Sequence, residues 1–152
     1  MRDEVSEVIP AASTEVFDLV HDYDRRLTWD TLLSAAYLDD GFTRAEKGAT
    51  SVCVGRTSLG RLAFKTVYVS FDRPRVAAVK LVNSPAFFGT WAASIRHQDL
   101  EAGSSRITYT YHFTARPSWL RWLLEPIMGR MFRWETRKRL EALRDHFGAQ
   151  RR

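Results

Sequence analysis

With 152 residues, 45% of them hydrophobic and 27% charged, the chain is long enough to bury a core without cross-links and too apolar to remain disordered. The single cysteine, Cys53, excludes an internal disulfide. The net charge of +5 is uneven: from Arg116 onward ten Lys/Arg face four Asp/Glu, whereas the residues before it carry thirteen against fourteen, so the basic character belongs to the C-terminal segment.

The opening Met1-Arg2-Asp3-Glu4-Val5 is charged, and no stretch reaches the ~18 apolar residues of a membrane span. Neither a secretory leader nor a spanning helix is expected, and the expected location is the cytoplasm. Residues 3 to 9 alternate, with Val5 and Ile9 marking a first strand. Pro10-Ala11-Ala12-Ser13 reads as a turn into a helix. There Ser13 is expected as the N-cap, Glu15 suits the positive helix end, and Val16, Phe17 and Val20 share a face. A second short helix is expected after Asp24, carrying Leu27, Trp29 and Leu32 or Leu33.

From there to Arg116 the apolar period changes to two. Strands are predicted at 35–42, 51–59, 61–72, 75–83, 89–100 and 105–115. Turn chemistry separates them at Asp40-Gly41, Gly48, Leu59-Gly60, Arg73-Pro74, Gly89 and Ala102-Gly103. Connections this short imply an antiparallel meander. The chain closes on a helical pattern in which Pro117 fits the first turn. Leu120, Leu123, Leu124, Ile127, Met128 and Met131 recur at three and four, and Leu140, Leu143 and Phe147 continue the stripe. Pro126 and Gly129 predict a kink or break in it, and Gly148 a stop.

This order defines an α+β fold, one domain over residues 1–152. A curved antiparallel sheet of six to seven strands wraps a long C-terminal helix, with two short helices after the first strand. A sheet so curved encloses more volume than one helix fills, and a cavity is expected.

Three stretches resemble the START-related, birch-allergen-like superfamily, the SRPBCC or polyketide cyclase/dehydrase group with its helix-grip fold. They are Ile9 to Val20 followed by Asp22-Tyr23-Asp24 and Trp29, the turn Phe71-Asp72-Arg73-Pro74-Arg75, and the closing helix from Pro117 to Phe147. Within the last, Trp119 to Gly129 is similar to the helix start of some bacterial cyclase/dehydrase-like members. The resemblance spans nearly the whole chain and implies binding or transport of a lipid, isoprenoid or polyketide-like molecule. Its alternative implication is a cyclase or dehydratase acting in the same cavity.

Trp91, Ile95 and His97 share one face of their strand, and Tyr109, Tyr111 and Phe113 share one face of the next; these are the best wall candidates. Core and cavity wall read alike in sequence, so packing is the competing reading. Phe64 and Tyr68 are favoured inward on their strand, although a single bulge reverses that parity. Leu124, Ile127, Met128 and Met131 supply the opposite wall, and Trp29 joins the candidates. His97 is the weak catalytic candidate, an imidazole on an apolar face; a satisfied structural histidine is the bland alternative. His112 points outward by parity, His21 and His146 read as surface residues, and Cys53 as an inert buried thiol. Scattered histidines give no metal spacing, and no glycine loop binds phosphate, so no cofactor is expected. The basic run Arg130, Arg133, Arg137, Lys138, Arg139 and Arg144, interleaved with Trp119, Trp122 and Trp134, has three readings. It is a solvated helix face, a transient contact with anionic membrane, or a nucleic-acid patch, the last not expected. A monomer and a homodimer both fit.

Overall fold

The computed structural model describes residues 1–56, 62–83 and 85–150. Strand β1 (Arg2–Ile9) buries Val5 and Ile9 and pairs along its full length with the last strand. Helix α1 (Ser13–Val20) turns Val16, Phe17, Leu19 and Val20 inward. Its cap differs from expectation. Ala12 holds the N-cap position, Ser13 is already helical, and the Ser13 N–H donates to Asp99 Oδ1 at 2.8 Å. A carboxylate from the end of a distant strand thus satisfies an orphan donor and faces the positive helix end.

The expected second helix is a 3₁₀ turn of three residues, Arg26–Thr28. The apolar residues that suggested it are divided among three environments. Leu27 is exposed, Trp29 is in the core, and Leu33 opens a strand. The strands that follow are β2 (Leu33–Asp39), β3 (Thr50–Gly55), β4 (Ala63–Asp72), β5 (Val76–Leu81), β6 (Phe88–Asp99) and β7 (Ser105–Ala115). Positions 57–59 and 61 of the predicted strands, with the Leu59-Gly60 turn, lie outside the described residues. The seven strands form one antiparallel sheet in the order β1-β7-β6-β5-β4-β3-β2. Asp40 and Gly41 begin the β2–β3 connection with φ of 57° and 83°, a left-handed pair that Asp-Gly supplies readily. Register shifts at Leu33/Ala35, Tyr68/Ser70 and Phe88/Thr90 bend the sheet, as bulges do.

After a 3₁₀ turn (Ser118–Leu120) helix α2 (Arg121–Gln150) runs 30 residues, about 45 Å, without the expected break. Pro126 lies only six residues in, on an exposed turn where water can serve the carbonyl it leaves free. Gly129 lets the Met1 side chain lie close instead: a Cβ there would lie 2.5 Å from Met1 Sδ and shift that flexible chain. Gly148 does not stop the helix. Met128, Phe132, Thr136, Leu140, Leu143 and Phe147 form the buried stripe, and α2 packs across β1 and β7.

Two apolar clusters result. One joins α1, β1 and the C-terminal half of α2 through Val16, Val20, Ile9, Leu140 and Leu143. The other is aromatic, built on Tyr68, Phe88, Tyr111, Phe113 and Phe132.

Candidate functional site

Between the inner face of the sheet and the middle of α2 lies a cavity of about 110 Å³. An apolar cavity of ~150 Å³ takes a benzene-sized guest, so the space here suits about one ring or a short chain. Strand β4 contributes Phe64, Thr66 and Tyr68, which answers its parity: the bulge falls after Tyr68 and leaves these three inward. Beyond it Phe71 swings in to pack on Phe17, ring centres 5.2 Å apart. Trp91 and Ile95 of β6 and Tyr109 of β7 extend the wall, with Ile95 and Tyr109 as cross-strand partners. Met131, Phe132, Glu135 and Arg139 of α2 close it.

Six predicted wall residues therefore meet around this space: Phe64, Tyr68, Trp91, Ile95, Tyr109 and Met131. The others do not. Tyr111 and Phe113 fill the aromatic core, their rings 5.7 and 5.3 Å from Phe132. Met128 is buried in that cluster and Leu124 packs on its edge. Ile127 is 59% exposed, because it lies about 100° around the helix from Met128 and faces outward. Trp29 is in the other cluster, with the Arg26 guanidinium 5.0 Å from its ring centre. His97 packs against Phe17 and His21 at ring distances of 5.3 and 6.5 Å, outside this wall.

His21 corrects the sequence reading most sharply. It is buried rather than on the surface, and its Nδ1 lies 2.7 Å from Tyr68 Oη, which in turn lies 2.9 Å from Tyr23 Oη. Burial, then the neighbouring His97 and Arg26, push the His21 pKa well below its ordinary value. Burial pushes Tyr68 well above the usual phenol range and raises Tyr23. The chain is thus neutral at neutral pH. His21 and Tyr23 also border an open groove of about 870 Å³ beside α1, where Phe42, Ala45 and Phe71 contribute. Cys53 lines the cavity, and burial raises its pKa, which keeps the thiol protonated and unreactive.

The cavity's charged end was not foreseen. Arg26 and Arg139 both line it and both bond Asp30, their Nε atoms 2.9 and 2.8 Å from Oδ2. Burial opposes ionisation of Asp30, but Arg139 and Arg26 outweigh it and hold the carboxyl below its ordinary range. Burial raises the Glu135 pKa against the pull of Arg139. Arg139 therefore leaves the basic run, whose remaining members are largely paired: Arg133 with Asp3, Lys138 with Glu141, Arg144 with Glu7. Among the described residues no cluster of His, Cys, Asp or Glu suits a metal ion, and no helix is long and apolar enough to cross a membrane.

A bent antiparallel sheet gripping one long helix over an aromatic-lined cavity is the helix-grip fold. The chain belongs to the family described as polyketide cyclase / dehydrase and lipid transport, whose model matches residues 2–148. A START superfamily protein from Mycobacterium smegmatis is similar over 98% of both chains, with TM-score 0.80 and 10% identity. The Zhui aromatase/cyclase from Streptomyces sp. R1128 is similar over 100% of this chain and 96% of its own, with TM-score 0.80 and 14% identity. At such identities the likeness is one of fold. No curated protein matches the sequence.

Proposed function

We propose that residues 1–152 act as one domain that binds and carries a hydrophobic small molecule of lipid, isoprenoid or polyketide-like class. The observation that carries this reading is the space walled by Phe64, Trp91 and Tyr109 of the sheet and Phe132 of α2. Broad aromatic surface with few polar groups is what a ligand pocket needs. The test is native mass spectrometry of gently purified protein, with organic extraction of any added mass. A reproducible apolar adduct is expected. A bare mass, together with no thermal stabilisation by apolar compounds, would overturn the reading.

A second reading is a cyclase or dehydratase working in the same cavity. The Tyr23–Tyr68–His21 chain favours it, since it offers hydrogen-bonding groups to a polyketide-like substrate. Against it stands their titration: His21 is pushed down and Tyr68 up, both away from the neutral range where a general acid or base works best.

Loading of such a carrier fits a transient membrane contact at the start of α2. Trp119 and Trp122 are 73% and 76% exposed, and Ile127 and Trp134 are exposed farther along α2. Phe87, also exposed, is held at φ 67° while its carbonyl accepts the Arg116 N–H at 2.8 Å just before α2. Trp rings at this exposure, beside Arg130 and Arg137, suit an anionic lipid surface.

A further inference from the structure

One end of the cavity wall is built from two arginines with donors to spare. Arg26 and Arg139 share a single oxygen of Asp30, which lies behind them; its other oxygen accepts the Leu32 N–H at 3.1 Å. Arg26 also donates from Nη1 to the Val20 carbonyl at 3.2 Å. Among the described residues nothing accepts from Arg26 Nη2 or from either Nη of Arg139. Glu135 shares the wall one turn before Arg139 but forms no ion pair with it among those residues. Two guanidiniums share one carboxylate, Glu135 acts on Arg139 from the same wall, and three Nη atoms remain without an acceptor among the described residues. The planar fork of arginine fits a carboxylate edge-on, and spare Nη donors facing a cavity are what such a group would bond.

We propose that Arg26 and Arg139 form a subsite for the anionic head of the ligand: a carboxylate on an apolar body, the body lying among Phe64, Trp91, Tyr109 and Phe132. The inference rests on the cavity being the ligand site. It also predicts the orientation, head toward the buried carboxylate Asp30 and body toward the aromatic wall.

The test titrates the protein with 4-ethylbenzoate and with its neutral counterpart 4-ethylbenzamide at pH 7.5, followed by amide NMR shifts. The acid is expected to bind at least tenfold more tightly than the amide. Arg139→Gln is expected to abolish that preference. Glu135→Gln, which removes a neighbouring carboxylate, is expected to raise the preference for the acid over the amide at least threefold. The gain matters because a poorly folded variant only loses binding. Equal affinities in the unaltered protein, or a preference that survives Arg139→Gln, overturn the subsite and leave the cavity reading standing. Failure of both compounds to bind overturns both.

Discussion

His97 ties the stability of the fold to the absence of a proton. It is 7% exposed, packed on Phe17, and neither ring nitrogen has a partner among the described residues. Burial lowers its pKa from 6.5 to about 4. As pH falls below 6.5 the unfolded chain takes up a proton that the folded protein refuses until about pH 4. The stabilisation is therefore complete above pH 6.5 and is lost progressively between 6.5 and about 4. At about 1.4 kcal/mol for each pH unit this amounts to roughly 3 kcal/mol, a large part of the ~5–15 kcal/mol that domains possess. His21, pushed down by the same burial, adds a loss of the same sign. His97→Leu nearly preserves volume and removes both unpartnered nitrogens together with the titration. Urea unfolding from pH 7.5 to 4.5 should show the unaltered protein losing about 2–3 kcal/mol more than the variant. At pH 7.5 the variant should be at least as stable, because no hydrogen bond is lost. Parallel pH dependences in the two proteins would refute the burial argument.

Phe132→Ala removes a ring that meets Phe88, Tyr111 and Phe113 at 5.3 to 5.7 Å, so a cost of about 3–5 kcal/mol is expected in chemical unfolding. Because Phe132 also lines the cavity, that variant should accept bulkier apolar guests, as thermal shift would report. Asp30→Ala leaves two guanidiniums without their shared carboxylate and should cost about 3–5 kcal/mol; a loss below about 1 kcal/mol would show that water reaches the pair. The double variant Trp119→Ser/Trp122→Ser touches only exposed rings. It should keep its melting temperature while co-sedimenting less with vesicles containing anionic phospholipid, and unchanged co-sedimentation would remove the proposed membrane contact.

What sequence patterns convey is local. The alternation in β6 and β7 was legible because inward and outward residues differ in polarity, and the predicted ladder lies in register as Trp91–Phe113 and Ile95–Tyr109. The stripe on α2 was legible for the same reason, although Ile127 was assigned to the wrong face because one residue of helix turns a side chain about 100°. Patterns do not tell a filled core from a wall: Tyr109 and Tyr111 look equivalent, yet Phe132 closes over Tyr111 while Tyr109 meets open space. The charged end was silent because its parts are 109 residues apart in Asp30 and Arg139, and each alone reads as a solvated side chain. Phe132 had a usable signal. It follows Met128 by four and precedes Thr136 by four, in line with Leu140.

Glu135 offers the sharpest separation of carrier from enzyme. Among the titratable groups on the cavity wall, the environment moves histidine, tyrosine and cysteine away from neutrality, while it moves Glu135 upward, toward it. A group poised nearer neutral pH is the one that proton transfer would use. If the protein turns over a polyketide-like substrate, Glu135→Gln should abolish turnover with little change in substrate affinity. The rate in the unaltered protein should then follow a single ionisation above the ordinary glutamate range. If the protein is a carrier, the same substitution has only an electrostatic consequence: it removes negative charge beside Arg139 and strengthens the hold on a carboxylate. One variant thus separates the two functions by the sign of its effect. A Glu135→Gln protein that keeps full turnover would exclude the only cavity carboxyl group, among the described residues, whose environment suits acid–base work.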